Sequence, residues 1–200
     1  MEIRSLQLGL YQTNCYILSK QAHGDAVLTD PGYEPQRILQ FLQENALTLR
    51  AILLTHGHFD HVGGVRELVA ATGCRVYLHH LETSMPHYLT AGELYFTDTY
   101  DEGDDIEEAG LRFHCLHTPG HSPGSVCLLH EHVMFCGDTL FRGSCGRTDC
   151  PGGSWTELQN SLRRLYFLEG DYDVYPGHGA PTTLRRERLG NPFLLEAARR

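Results

Sequence analysis

Residues 51–61 read AILLTHGHFDH, an apolar run that ends in a dense group of metal-binding side chains. The continuous apolar run predicts a strand buried on both faces. His56 and His58 are two positions apart, so an extended segment points both imidazoles to one side. Asp60 and His61 lie one turn further along and can face a neighbouring point. Four side chains of ligand type within six positions predict a metal site, and imidazole with carboxylate suits zinc, iron or manganese.

Three more candidate ligands stand at the ends of predicted strands further along the chain. They lie in TPGHSPG around His121, in FCGDT around Asp138 and in YPGHG around His178. Each is next to a glycine, which lets the backbone turn sharply and approach a bound group. The complete set holds five histidines and two aspartates. Divided between two divalent metal ions, with one aspartate bridging them, this set leaves room for water.

Short apolar runs alternate with longer amphipathic patterns along the rest of the chain. The patterns predict strands at 2–8, 14–18, 26–29, 51–54, 75–79, 111–117, 124–130, 132–137 and 172–175, and helices at 34–46, 62–71, 155–168 and from about 182, with a break at 190–192. Ser154 is the expected N-cap of the helix at 155–168. Residues 80–103 are expected to be irregular and to cover the site. Strands with interspersed helices predict an α/β (α+β) protein, with two sheets packed together and helices outside.

The bulk composition narrows the possible partners. The chain has 200 residues, enough for one domain over 1–200, and we find no linker and no repeat. The formal net charge of −9 and the lack of a long basic run argue against a nucleic-acid partner. No apolar run reaches the roughly 18 residues of a membrane span. The N-terminus lacks the pattern of a signal peptide, so we expect a cytoplasmic protein.

The cysteines and the remaining histidines do not indicate a second metal site. Seven cysteines without a C-x-x-C pair argue against a disulfide framework and a cysteine-held zinc. Five of them lie in or beside apolar runs and are expected in the core: Cys15, Cys74, Cys115, Cys127 and Cys136. A further group of histidines is attributed to the surface: His23, His79, His80, His87, His130 and His132.

The ordered motifs resemble those of the metallo-β-lactamase superfamily. THxHxDH, then a single histidine, an aspartate and a final histidine follow in the superfamily's order, over nearly the whole chain from Asp30 to His178. The resemblance implies a four-layer αββα sandwich with the site at one edge of the two sheets. It also implies two ligand sets joined by a bridge: His56, His58 and His121 for one metal, Asp60, His61 and His178 for the other, and Asp138 between them.

A second segment is similar to glyoxalase II, a hydrolase of glutathione thioesters. GDTLF at 137–141 and GSCGR at 143–147 carry this similarity. It implies a zinc-type hydrolase of a small thioester such as S-lactoylglutathione, in which Asp60 also orients a metal-bound hydroxide. True β-lactamases lack the bridging Asp138, which argues against antibiotic hydrolysis. Arg147 would contact a substrate carboxylate, although pairing with Asp149 fits it equally well.

Two departures weaken the case for glutathione itself. Only 22 residues (200 minus 178) follow His178, too few for the helical domain that helps glyoxalase II hold glutathione. Gly179 and Ala180 also stand where glyoxalase II has a substrate-binding tyrosine. Three alternatives remain open: a persulfide dioxygenase with one iron, whose segment resembles GRTD at 146–149, a nuclease or phosphodiesterase, and a metal-containing binding protein without activity. The complete set of seven ligands favours the two-metal hydrolase.

Overall fold

Two six-stranded sheets carry the fold in a computed structural model that describes residues 1–90 and 92–199. The first sheet has the strand order β1-β2-β3-β4-β5-β6, made of Glu2–Leu8, Thr13–Ser19, Gly24–Thr29, Leu47–Leu53, Arg75–His79 and Asp98–Tyr100. The second has the order β14-β13-β10-β9-β8-β7. Its strands in chain order are β7 Asp105–Glu108, β8 Leu111–His117, β9 Val126–His130, β10 Val133–Gly137, β13 Asp173–Pro176 and β14 Thr182–Thr183.

Six helices and two short elements complete the described chain. The helices α1 to α6 are Pro35–Glu44, Phe59–Val62, Val65–Thr72, Trp155–Phe167, Leu184–Gly190 and Pro192–Ala198. A 3-10 turn spans His80–Ser84, and β11 Leu140–Phe141 pairs with β12 Ser144–Cys145 in a small hairpin. Within the two described ranges, no helix combines the length and the apolar character that crossing a bilayer requires.

Three apolar cores separate four layers. Between the sheets, Leu18 and Leu53 of the first sheet meet Phe113 and Phe135 of the second. On the outer face of the first sheet, α1 and α3 cover one core. On the outer face of the second, α4 and α6 cover another. The predicted α/β architecture, a four-layer αββα sandwich, is therefore confirmed.

Burial on both faces explains why the central strands are apolar throughout. In β4, Ile52 faces the core under the helices and Leu53 faces the core between the sheets. The first half of this strand alternates instead, with Leu47 and Leu49 buried and Thr48 exposed. The sequence prediction began the strand at residue 51 because it recognised only the half that is apolar on both faces.

Other element boundaries also differ from prediction, chiefly where glycines and short elements occur. The helix predicted at 62–71 is α3, which begins only at Val65, because Gly63 and Gly64 separate it from the single turn of α2. The helix predicted at 34–46 is shorter, Pro35–Glu44. The segment 80–103, predicted as irregular, contains the 3-10 turn and β6, whose three residues are too few to show a pattern. The strands β7, β11, β12 and β14, which have two to four residues, were also not predicted.

The cysteines behave as the sequence predicts. All seven are free thiols, and the five expected in the core are buried. Cys145 and Cys150 are partly exposed. The apolar positions of the five thus serve packing between the layers, and the stability of the fold does not depend on a disulfide.

Candidate metal centre

The structure brings all seven predicted ligand residues to one edge of the sandwich. Strands β3 and β4 are parallel, as are β10 and β13, so their carboxyl ends share an edge. The seven residues follow these ends or lie on adjacent loops, with their ligand atoms in overlapping groups no wider than 4.8 Å. These groups are His56, His58 and His121; His56, His61 and Asp138; and Asp60, His61 and His178.

Two triads with different composition can be distinguished by their distances. In the first, which also includes His56, His58 Nδ1 lies 2.8 Å from His121 Nε2. In the second, His178 Nε2 lies 3.3 Å from both His61 Nε2 and Asp60 Oδ2. The first triad is thus made of three imidazoles, and the second of two imidazoles and a carboxylate. Both compositions suit a divalent transition metal.

Asp138 lies between the two triads. Its Oδ2 is 3.6 Å from His121 Nε2 in the first triad and 3.5 Å from His178 Nε2 in the second, and its Oδ1 is 3.5 Å from His61 Nε2. Gly137 makes this placement possible. It has φ +47°, and a Cβ there would come within 2.2 Å of Thr55 Oγ1. The geometry matches a carboxylate that contacts two cations at once.

Hydrogen bonds on the far side of the imidazoles fix which nitrogen faces the centre. His121 Nδ1 lies 2.8 Å from the carbonyl of Arg147, and His178 Nδ1 lies 3.0 Å from the carbonyl of Tyr11. A carbonyl only accepts, so in each ring Nδ1 carries the donated proton. The Nε2 lone pair of each neutral ring is then free to face the triads. This arrangement of an outer acceptor and an inner lone pair is the usual one for a metal-binding histidine.

Asp30 and Thr55 organise the centre from behind, and the sequence analysis did not identify this role. Asp30 accepts hydrogen bonds from Thr55 N at 2.8 Å and Thr55 Oγ1 at 2.7 Å, and its Oδ2 lies 3.1 Å from His61 Nδ1. Thr55 Oγ1 is 3.1 Å from His56 Nδ1. Asp30 is 2% exposed. The available signal was an acidic residue directly after a buried apolar strand.

Burial and neighbouring charge set opposite protonation tendencies in different parts of the centre. Burial lowers the pKa of His56 well below its usual range and that of His58 to about 4, and neighbouring imidazoles lower both further. For His61, burial again lowers the pKa, but Asp138 and Asp30 outweigh it and raise the pKa to about 9. His56 and His58 are therefore held neutral, which is the form that binds a cation.

The carboxylate of Asp60 stays ionised. Burial alone would raise the pKa of Asp60, but the hydrogen bond with His178 and the charge of His61 outweigh it and lower the pKa to about 2. Asp60 therefore places a negative charge beside His61 and His178. A divalent cation is favoured at such a point because it balances that charge.

Unpaired buried atoms test whether the residues fit metal ions. Among the residues that the structure describes, seven side-chain atoms are buried without a hydrogen-bond partner: His56 Nε2, His58 Nε2, His61 Nδ1, Asp138 Oδ1, Thr13 Oγ1, Thr29 Oγ1 and Arg188 Nε. An unpaired buried polar atom costs about 1–3 kcal/mol, so native proteins rarely leave one. Four of these seven atoms belong to the predicted ligand set, and cations at the centre would satisfy His56 Nε2 and Asp138 Oδ1. The histidine and aspartate cluster fits a binuclear metal centre.

An open cavity of about 470 Å³ leads from the surface to the centre. Apolar and aromatic side chains form much of its wall, and the remainder is polar or belongs to the centre. The wall includes Tyr11, His58, Phe59, Asp60, Leu89, His121, Asp138, Phe141, Ser144, Cys145, Arg147, Cys150 and His178. Leu89 belongs to the segment expected to cover the site, and it does line the cavity. Arg147 is there too, but Asp149 holds its guanidinium at 2.6 and 2.7 Å.

A fourth histidine and aspartate group lies behind the centre and is less suited to a metal. His79, His80 and Asp101 place possible ligand atoms within 4.8 Å of one another. His79, expected at the surface, is 2% exposed and stacks on His117. However, His79 Nδ1 accepts from the N–H of Leu81 at 3.3 Å. In the neutral ring Nε2 then carries the proton and offers no lone pair to a cation.

Comparisons with known proteins bear on the family and the fold of this chain. The family model of the metallo-beta-lactamase superfamily matches residues 8–178. The chain is 35% identical to hydroxyacylglutathione hydrolase GloC of Haemophilus influenzae over 209 residues, which cover 97% of this chain and 98% of that protein. Among solved structures, BLEG-1 B3 metallo-beta-lactamase superposes with a TM-score of 0.90 at 35% identity, over 96% of this chain and 99% of that one. A protein crystallised in a di-iron-bound form superposes with a TM-score of 0.84 at 40% identity, over 95% and 99%.

Proposed function

Because the chain belongs to the metallo-beta-lactamase superfamily, we propose that it hydrolyses a small thioester of the S-lactoylglutathione type at a binuclear metal centre. The observation that carries the proposal is the placement of Asp138 between two complete triads at the base of an open cavity. Similarity to a hydroxyacylglutathione hydrolase over nearly the full length of both chains supports the substrate class.

The residues divide into two ligand sets and a bridge. His56, His58 and His121 would hold one cation. Asp60, His61 and His178 would hold the other, and Asp138 would contact both. When bound, two divalent cations at a centre of this kind lower the pKa of water towards neutrality and polarise a carbonyl oxygen. Asp60, ionised and facing the cavity, is placed to accept a hydrogen bond from a water molecule and so to orient it.

A thioester suits the groups that line the cavity. A thiol with a pKa of about 8.5 leaves as thiolate without a strong proton donor, whereas an alcohol or an amine needs one. The thiol of Cys145 is no such donor and no nucleophile, because burial raises its pKa to about 11. Thioester hydrolysis, which needs an activated water and releases a thiolate, is therefore the reaction that fits the groups lining the cavity.

Binding of the carrier thiol would depend on the cavity rim. The phenol of Tyr11 lines the same cavity as His178, although glyoxalase II takes its tyrosine from a different point in the chain. The ring of Tyr11 packs edge-on against Phe59 at 5.3 Å between centroids. Arg147 pairs with Asp149 in the open, where both side chains are about two-thirds exposed. Exposed pairs of this kind contribute little because water screens them, so a substrate carboxylate can replace Asp149.

The deciding experiment compares substrate classes on one preparation of the purified protein with its metals measured. We expect S-lactoylglutathione to be hydrolysed with release of free thiol, at a rate that follows metal content. Glutathione persulfide with recording of oxygen uptake, a chromogenic phosphodiester and a chromogenic cephalosporin serve as competing substrates. Turnover of any of these in protein that leaves thioesters intact would overturn the proposal.

Zinc is the metal that we propose, with iron or manganese as the competing choices. The ligand set accepts all three, because imidazole suits zinc and iron, and carboxylate oxygen suits manganese. Elemental analysis of protein expressed in defined medium, followed by reconstitution with each metal separately, would identify the metal that supports thioester hydrolysis. A content of one metal per chain in a fully reconstituted sample would favour the persulfide dioxygenase instead.

A further inference from the structure

Glu82 lies outside the seven-residue ligand set but directly beneath two of the loops that carry it. It is in the 3-10 turn that follows β5, and it is 0% exposed, whereas both of its chain neighbours are exposed. Glutamate is among the residues least often buried completely, and when buried it is normally paired. The buried carboxylate of Glu82 is therefore expected to have hydrogen-bond partners in the interior.

Each oxygen of the Glu82 carboxylate accepts a backbone hydrogen bond from a different ligand-bearing loop. Oε2 accepts from Gly57 N at 2.7 Å, and Oε1 accepts from Gly124 N at 2.6 Å. Gly57 stands between His56 and His58, and Gly124 follows His121 by three residues. One carboxylate thus joins the two loops that supply all three imidazoles of the first triad. Hydrogen bonds to an ionised acceptor are about twice as strong as neutral ones.

The two glycines permit this close approach. A Cβ at Gly57 would lie 3.1 Å from Glu82 Oε2, and a Cβ at Gly124 would lie 2.9 Å from Glu82 Oε1 and 2.7 Å from Cγ. A larger residue at either position would push the carboxylate away from the backbone N–H groups. The glycines and the glutamate form one packed unit, although 25 and 42 residues separate Glu82 from its two partners.

We propose that Glu82 is a positioning residue that fixes the spacing between the His56–His58 loop and the His121 loop and thereby preorganises the first triad for a divalent cation. His58 Nδ1 and His121 Nε2 are only 2.8 Å apart across these loops, so a small relative movement of the loops changes whether both can contact one ion. Glu82 touches neither cation nor substrate and acts through the backbone.

The test measures metal binding directly and so separates a positioning role from a merely structural one. Glu82→Gln keeps the size of the side chain but offers only one acceptor oxygen, so one of the two loops loses its hydrogen bond and meets an N–H₂ group instead. Removing such outer partners typically lowers metal affinity about 10- to 100-fold. We expect that loss for one of two bound Co²⁺ ions, measured by competition with a chelator, while the other ion keeps its affinity. The visible spectrum of the Co²⁺ protein should change with it.

Glu187→Gln provides a matched control. Glu187 is equally buried, at 2% exposure, and accepts from Gly143 N at 2.7 Å and Thr182 Oγ1 at 2.6 Å, but neither partner belongs to a loop of the first triad. We expect this variant to lower the melting temperature about as much as Glu82→Gln and to bind both Co²⁺ ions as wild type does. Equal losses of metal affinity in the two variants would overturn the proposal.

Glu82→Asp is a second variant that tests the inference if Glu82→Gln does not fold. Aspartate keeps the charge but is one methylene shorter, so it cannot reach both loops, and we expect an affinity loss like that of glutamine. Full wild-type affinity for both ions in either variant would refute the inference. The inference rests on metal binding by the proposed centre and not on the thioester. Failure of wild-type protein to bind metal would count against the proposed function, whereas failure confined to the Glu82 variants would count against this inference alone.

Discussion

Replacing Asp30 by asparagine should weaken both the fold and the metal centre. The substitution keeps the shape of the side chain and removes its charge. Asp30 has φ +46°, and asparagine tolerates that backbone conformation about as well as aspartate. The effect can therefore be assigned to the side chain. Asp30→Ala would add backbone strain and should be worse.

The magnitude follows from the three donors that face Asp30. Thr55 N and Thr55 Oγ1 donate at 2.8 and 2.7 Å, and His61 Nδ1 lies at 3.1 Å. Asparagine has one acceptor oxygen. At the place of Oδ2 it keeps the contacts with Thr55 Oγ1 and His61 Nδ1 and loses that with Thr55 N, and at the place of Oδ1 it keeps only Thr55 N. Hydrogen bonds to a charged group contribute about 1.5–3 kcal/mol each, and with partial rearrangement of the hydroxyl we expect a loss of about 2–4 kcal/mol. For a chain of this length that corresponds to roughly 4–16 °C in the melting temperature.

Thermal denaturation of metal-free protein measures this loss without contributions from bound ions. Metal affinity is then measured separately and should fall about 10- to 100-fold for the ion nearest His61. Asp25→Asn is the control, because Asp25 lies in β3, the strand that Asp30 directly follows, and pairs with Arg50 at 2.7 Å on the exposed surface. We expect less than about 1 kcal/mol there. An unchanged melting temperature and unchanged metal affinity for Asp30→Asn would show that the network behind His61 does not support the centre.

Three further outcomes are expected. Asp138→Ala should abolish most turnover and lower metal affinity by more than the roughly 100-fold that is typical when a hydrogen-bond partner of a metal ligand is removed. Its circular dichroism spectrum should stay that of the wild type. Normal metal content and turnover would contradict the place of Asp138 as the bridge. Removing the metals with a chelator should lower the melting temperature by roughly 8–16 °C, relative to protein in free metal at about 1,000 times its Kd. Calorimetry that records no shift would contradict tight metal binding. Arg147→Ala should raise KM for S-lactoylglutathione severalfold and leave KM for a neutral thioester unchanged. Asp149→Asn should lower KM for S-lactoylglutathione. Steady-state kinetics on both substrates tests this, and equal effects on the two substrates would exclude carboxylate recognition.

The sequence by itself was enough to predict the four layers and the residues that gather at the centre. Strands buried on both faces need continuous apolar runs, and the fold needs them in the middle of each sheet, so β2, β4 and β9 could be recognised directly. The ligand residues stand just after such strands, in spacings short enough for local geometry to aim them. The structure places all seven together, while their roles as ligands stay a prediction until metals are measured.

Only the tertiary structure showed how the centre is supported. Asp30 meets Thr55 across 25 residues, and Glu82 meets Gly57 and Gly124 across 25 and 42. None of these pairs has a local spacing that a pattern could reveal, because each depends on how the carboxyl ends of several strands and the loops after them come together at one edge. Arg147 is a different case, because Asp149 is only two residues away: the sequence left this pair and contact with a substrate carboxylate equally open, and the structure shows the pair. Local sequence determines periodicity and spacing, whereas contacts between distant loops are determined by the packing of the two sheets.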